Sequence, residues 1–482
     1  MGALTVLESF VWSGGTQGGA GVTLIDSEAT LQISGEPGKI LSQRTLEVQG
    51  NALMTSSGTV TLTNGASILN NGVFELQGDG DFLYQNDGTA AVQFTNLPGS
   101  ILRKSSGEGM TEFGGSSFSF NNSGWVDVQV GTIRVGGSGG TGTGATFSAA
   151  PGAVFEFGGG TYNFSGIFED ESATIFDGGG VIAFNGATVN LEDTFVAGES
   201  GTSLHLLGGT LNVNTTFELG FFTRLEQSGG TLGGIGTLSV GGTYQWNGGT
   251  QAGSGTTFIE EGSDMEITGP ALKNLNERTL QVAGMVTVNG SGNVVLNNGA
   301  SINNSGLIDL QSDADFTYPN DGSAAVRFNN FSDGTLRKSE GSWVTEFNNS
   351  ALSFNNSGTV QVQGGALRFT GSGGTHVNGL FDVAPGTQIE FGNGNHSFFG
   401  GNDFQGGGQV LLSGGTLTFN SPTPSGPVFV EGQLTMAAPS GTAIVSSETE
   451  LLQTGGTISG DGTLSISGRF NWSGGTQSGT GV

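Results

Sequence analysis

The sequence predicts an all-β protein, a right-handed parallel β-helix (β-solenoid) of roughly two dozen irregular coils. Three observations predict it. Short stretches alternate apolar and polar residues. Clusters of Gly, Asn, Asp and Ser separate those stretches. The whole pattern then repeats within the chain.

The alternation is read in Leu31-Gln32-Ile33, Leu46-Glu47-Val48, Val60-Thr61-Leu62 and Phe74-Glu75-Leu76. A period of two places one face of a strand against a core. No apolar stripe of helical period reaches a useful length, so helices are expected to be nearly absent.

The repeat is long. "LRKSSGEGMTEFGGSSFSFNNSG" begins at Leu102, and "LRKSEGSWVTEFNNSALSFNNSG" begins at Leu336. The same offset relates "NGASILNNGVFELQGDGDF" at Asn64 to "NGASINNSGLIDLQSDADF" at Asn298. Further along the offset shortens, and Gln227 matches Gln453. The expected organisation is β-solenoid unit 1 over residues 1–245, unit 2 over 246–471, and the start of a third unit over 472–482, without a flexible linker.

Comparing the two copies separates the faces. Leu31 and Met265, Ile33 and Ile267, Leu46 and Leu280, Val48 and Val282, Phe74 and Ile308, and Leu76 and Leu310 all stay apolar. Between them, Gln32 pairs with Glu266, Glu47 with Gln281, and Thr61 crosses over to Val295. A core face and a solvent face drift in this way.

A β-sandwich series would also bury one strand face, but it needs no repeated corner residue. A solenoid stacks like upon like, so its corners become columns of residues that tolerate positive φ. The pairs Asn70-Asn71, Asn121-Asn122, Asn303-Asn304 and Asn355-Asn356 are assigned to such corners, where stacked amides can form hydrogen-bonded ladders. At about 20 residues per coil and ~4.8 Å rise, the expected rod is ~115 Å long.

Composition narrows the function. Gly numbers 92, Pro only 10, and Phe 33, which excludes collagen and Pro-rich linkers and demands a packed aromatic core. The formal charge of −28 opposes nucleic acid and anionic membranes. There is no Cys, so disulfides and thiolate sites are impossible. His205, His376 and His396 show no metal-ligand spacing. "MGALTVLESF" does not read as a signal peptide, and no stretch of 18 apolar residues exists. An export signal is expected outside this chain.

Gly-Gly-Thr occurs eleven times, and "SGGTLGGIGTLSVGGTYQWNGGTQAGSGTT" resembles segments of large bacterial secreted and surface β-helical repeat proteins. These include autotransporter passenger regions and filamentous-haemagglutinin-like adhesins and fibre proteins. The resemblance implies an extracellular or cell-surface structural rod that adheres or builds fibres. It implies no enzyme and carries no catalytic, cofactor-binding or metal residue to transfer. The expected partners are further copies joined end to end and cell-surface glycans or matrix, with no membrane insertion. The alternative is a carbohydrate-active β-helix, either a polysaccharide lyase or a tailspike-like glycosidase.

Several features are candidates for a site. "FVWSGGTQ" at Phe10 returns as "YQWNGGTQ" at Tyr244 and "FNWSGGTQ" at Phe470. Its paired aromatics read as a core coil and a marker of the repeat, against an exposed platform for sugars. Asp79 and Asp81 recur as Asp313 and Asp315, and Asp87 as Asp321. They read as corner turns, against calcium ligands. Acidic runs at Phe168 ("FEDES") and Ile259 ("IEEGSDME") read as solvated loops. Arg103-Lys104 with Glu112 recurs as Arg337-Lys338 with Glu346. An active site is usually single, so these twins read as surface ion pairs between coils. Thr59-x-Thr61-x-Thr63 hints at an ice-binding array that neighbouring coils break. The Asn-x-Ser/Thr sequons at Asn121 and Asn214 fit chance in so Asn-rich a chain.

Overall fold

The computed structural model describes residues 2–482 except 86–89, 167–172, 193–194, 199–200, 320–323, 421–427, 431–432, 437–441, 446–449, 454 and 456. The chain divides into two compact units, Met1–Tyr244 and Gln245–Val482. Each unit is a parallel β-solenoid whose turns contribute one short strand to each of three sheets. Among the described residues every strand pairing is parallel and there is no helix, hence none long and apolar enough to cross a membrane.

The turns number about 20 rather than two dozen. The reason lies in the corners. Thr45 pairs with Ser67, 22 residues on, and Asn70 pairs with Asn96, 26 residues on. Where a corner loop is long, as between Asp315 and Glu346 beside the paired Phe316 and Phe347, a turn takes 31 residues.

Strands are mostly four or five residues long and alternate buried and half-exposed, as in Thr30–Ile33 and Thr279–Val282. All six apolar pairs read from the repeat are buried to 2% exposure or less in both copies. Full burial of such a side chain is worth about 1.5–3 kcal/mol. The Phe content forms continuous ring columns. Phe82 stacks on Phe113 with centroids 4.8 Å apart, and the duplicate pair Phe316 and Phe347 stacks at the same 4.8 Å. Offset stacking of this kind adds about 0.5–1.5 kcal/mol beyond the area buried.

The Asn ladders exist, but in a different place from the one expected. The second Asn of the pairs at 121, 303 and 355, and the first of the pair at 70, end β-strands and point inward. Asn70 Nδ2 donates to Asn96 Oδ1 at 2.7 Å, and Asn96 to Asn122 at 2.8 Å. Unit 2 repeats this with Asn304, Asn330 and Asn356 at 2.7 and 2.8 Å. Asn303, Asn329 and Asn355 form a second ladder on the outside, with both bonds at 2.8 Å. A buried amide needs partners on both ends, and a parallel in-register stack supplies one from each neighbouring turn. The left-handed corners belong to other residues. Asn64-Gly65 and Asn298-Gly299 turn with φ of 54° and 73°, and of 51° and 80°. Elsewhere Gly permits close approach: a Cβ on Gly137 would lie 2.0 Å from the Phe118 carbonyl oxygen, as one on Gly371 would from that of Leu352.

Candidate functional site

The Trp motif is mainly core. Trp12 is buried, and Tyr244 and Trp246 are fully buried. The Tyr244 hydroxyl donates to Gln227 Oε1 at 2.5 Å, which satisfies its polar end. Trp472, on Arg469–Trp472, is 55% exposed.

The Arg-Lys dipeptide splits across the sheet. On Ile101–Lys104, Arg103 points out, and Lys104 shares the parity of Leu102 and points in. Arg103 Nε meets Asp127 Oδ2 at 2.7 Å on the next turn, a pair on the outer side of the sheet in which Arg103 is half-buried and Asp127 buried. Lys104 is no surface residue. It is fully buried, with Nζ 2.8 Å from Asp79 Oδ1, 3.1 Å from the Gly78 carbonyl and 3.1 Å from Thr111 Oγ1. Lys338 repeats this with Asp313, Ser312 and Thr345 at 2.8, 3.0 and 3.2 Å. The expectation of surface pairing fails for both lysines because Arg and Lys alternate on one strand, and the inner position demanded a partner.

The acidic turns face these lysines. Asp79 and Asp313 accept from the ammonium groups. Asp81 and Asp315 accept the backbone N–H of Glu112 and Glu346, each at 2.8 Å. The carboxylates thus hold the corner to the strand above. Among the described residues no group of three or more His, Cys, Asp or Glu converges. Asp87, Asp321 and the run at Phe168–Ser172 lie outside the described residues. In the run at Ile259, Glu261 and Asp264 are exposed, as a solvated turn requires.

Removing the acid should cost more than removing the base. Asp79→Asn leaves a buried ammonium without its counter-charge, and the expected loss is about 2–4 kcal/mol. Lys104→Met removes the charge from the core while Asp79, 39% exposed, turns to water. Its expected loss is about half as large. Urea unfolding of both variants checks the order, and a larger loss in Lys104→Met would refute it.

The repeat also shows a swap. Arg337 pairs backwards, with Asp309 at 2.9 and 3.1 Å. Gln361 stands where Asp127 would be, and Glu75 stands in unit 1 where Asp309 does in unit 2. The Ser105 hydroxyl donates to Glu75 at 2.5 Å, which holds its carboxyl below the usual range. Burial pushes the Asp309 carboxyl up, and hydrogen bonds led by Arg337 pull it further down.

No protein-family model matches the chain, and no curated protein matches it.

Two sets of inward cations, all buried except the half-exposed Arg44, escaped the reading of the sequence. Lys39 Nζ donates to the carbonyls of Gly35 and Pro37 at 2.7 and 3.0 Å and to Ser56 Oγ at 3.3 Å. Its counterpart Lys273 donates to Gly269 at 2.7 Å. Burial lowers the pKa of both. Arg44 and Arg278 close a polar chain running from Gln through Thr. Thr257 donates to Gln251 at 2.7 Å, and Arg278 Nε donates to Thr257 at 2.9 Å. The signal was present, since Lys39-x-Leu41 shares one parity with the core.

The histidines His376 and His396, 20 residues apart in sequence, meet. His376 Nε2 and His396 Nδ1 lie 3.0 Å apart, and the rings stack at 5.3 Å and 10°. Phe354, Phe369, Phe381, Phe391 and Phe398 surround them. Burial lowers the pKa of His396 to about 4 and that of His376 well below its ordinary value. They sit on adjacent turns two positions out of register, His376 opposite Phe398 and His396 opposite Gly374, a spacing that no ligand motif would reveal. At the equivalent positions of unit 1 stand Gly142 and Tyr162, a small and a large residue in place of two of middle size.

Proposed function

We propose that the chain is a non-catalytic structural and adhesive β-solenoid, a segment of a large bacterial surface or fibre-forming protein acting outside the cell. The observation that supports this is how the charged residues are used. Arg103, Lys104, Asp79 and Asp81, with their twins Arg337, Lys338, Asp313 and Asp315, bond to neighbouring turns and hold the coil together. The duplicated constellation works as a fastener in both copies, which gives a carbohydrate-cleaving reading no support.

Copies of this 482-residue chain associate head-to-tail in this reading. Its first turn carries the exposed side chains Leu4, Leu7 and Val11, and its last turn carries Ile466 and Trp472. Unpaired strand edges beside apolar side chains invite pairing with another chain. Light scattering across a concentration series tests it. The expected result is mass growth that the double variant Val11→Lys/Ile466→Lys suppresses. Growth unchanged in that variant would refute end-to-end joining.

A further inference from the structure

From Ser67 onward, the charged side chains on the strands of unit 1 gather on two of its three sheets; before that, the third sheet carries Glu47 on Thr45–Val48. In unit 1 one sheet presents Glu75, Arg103, Asp127, Asp177 and Glu218 outward. A second presents Glu112, Arg134, Glu156, Arg224 and Glu226. The third sheet differs. From Ser67–Asn70 through Val92–Asn96, Phe118–Asn122, Gly139–Thr143, Thr161–Ser165, Thr188–Leu191 and Thr210–Val213 to Thr231–Gly233, eight consecutive strands carry no charged residue. Their outward side chains are almost entirely Ser, Thr, Asn and Gln. Glu192 lies just past the end of one strand, where it accepts from Asn214 at 2.9 Å.

The face is ordered along the stack. Thr161, Thr188, Thr210 and Thr231 occupy successive turns in register. Beside them Asn190 donates to Asn163 at 2.6 Å, and Asn212 to Asn190 at 2.8 Å. Unit 2 repeats the design from Thr279–Val282 to Thr442–Val445, where Arg327 is the one charged side chain on the described strands.

We propose that this hydroxyl-and-amide face of unit 1 is a lateral docking surface for the same face of a second copy of the chain. A net charge of −28 makes copies repel wherever their charged sheets approach. The uncharged sheet is where approach costs least. Two copies also share one rung spacing, ~4.8 Å, so a two-fold pairing brings side chains into register along the whole face. Thr and Asn rows of equal period can interdigitate and exchange hydrogen bonds. Seven rung spacings span ~34 Å, and four residues span ~13 Å, an area of ~450 Å² per copy. That is about half of a standard interface. The association is therefore weak in a single pair and gains strength only when several faces act together.

This inference is independent of end-to-end joining, and its experiment separates the two. Sedimentation velocity is run on the chain bearing Val11→Lys/Ile466→Lys, with and without Thr161→Glu/Thr210→Glu on the face. Without the face substitutions, a reversible dimer is expected at high protein concentration. It should strengthen at least severalfold from about 0.1 to about 1 M salt as repulsion is screened. With the two Glu residues the dimer should weaken at least tenfold. Thermal melting confirms folding, and Thr188→Glu alone serves if the double variant fails to fold. Association equal in both chains, or a monomer at every concentration and salt, would overturn the proposal. Retention of the monomer on a neutral dextran or cellulose matrix, lost in the Glu variant, would also overturn it by assigning the face to an uncharged glycan.

Discussion

Lowering the pH from 7 to 5 should remove about 2 kcal/mol from the stability of unit Gln245–Val482 through His396 alone. The folded pKa of His396, about 4, lies below the 6.5 of the free side chain. The unfolded chain therefore binds a proton that the folded chain refuses. Stability is complete above pH 6.5 and falls as the pH drops towards 4, where the folded state begins to take up the proton as well. His376 is depressed in the same direction by burial and by its neighbour, so the loss deepens. Carboxylates also titrate in acid, so the comparison must be internal. The double variant His376→Gly/His396→Tyr copies the Gly142 and Tyr162 arrangement of unit 1 and should retain the fold with a flatter pH dependence. Urea unfolding of both proteins at pH 7 and pH 5 measures the difference. Equal pH dependence in the two would show that the buried pair is not the source.

Asn330→Ala should be the most damaging polar substitution, with an expected loss of about 3–5 kcal/mol. Asn330 accepts from Asn304 at 2.7 Å and donates to Asn356 at 2.8 Å, to the Gly334 carbonyl at 3.2 Å and to the Thr359 carbonyl at 3.0 Å. Truncation strands buried partners on three turns, and each costs about 1–3 kcal/mol. Asn329→Ala removes the corresponding rung of the outer ladder, where water replaces the lost bonds, and should cost under about 1 kcal/mol. Denaturant midpoints of the pair decide it. Similar losses would mean that the inner ladder adds nothing beyond the outer one.

The fold was legible because a strand pattern of period two survives duplication. Leu31 and Met265 differ in shape yet both face inward, and only a shared core explains that. The turn number came out high because corner length follows the loops and not the strands. The roles of polar residues were legible only by parity. Lys104 and Arg103 are neighbours in sequence, so reading them as one basic pair hid that one is buried and the other half-buried on the outer side. The Asn pairs misled in the same way, since Asn tolerates corners but also stacks well inside strands. The histidine pair could not be read at all, because contact between His376 and His396 depends on the length of one particular turn. The uncharged sheet needed the register of eight strands, which no single stretch contains.

The in-register ladder of each unit also sets how it would yield to a pull. Its hydrogen bonds point along the direction of stacking, so force applied to a chain end concentrates on the outermost turn while the turns behind carry little. Turns should peel off singly, each giving way when its three short strands release together. A turn the size of that between Thr45 and Ser67, 22 residues, would free ~75 Å of chain. Extension of a unit should therefore trace a staircase of similar steps, with the tallest risers where Asn304, Asn330 and Asn356 bind three turns into one mechanical block.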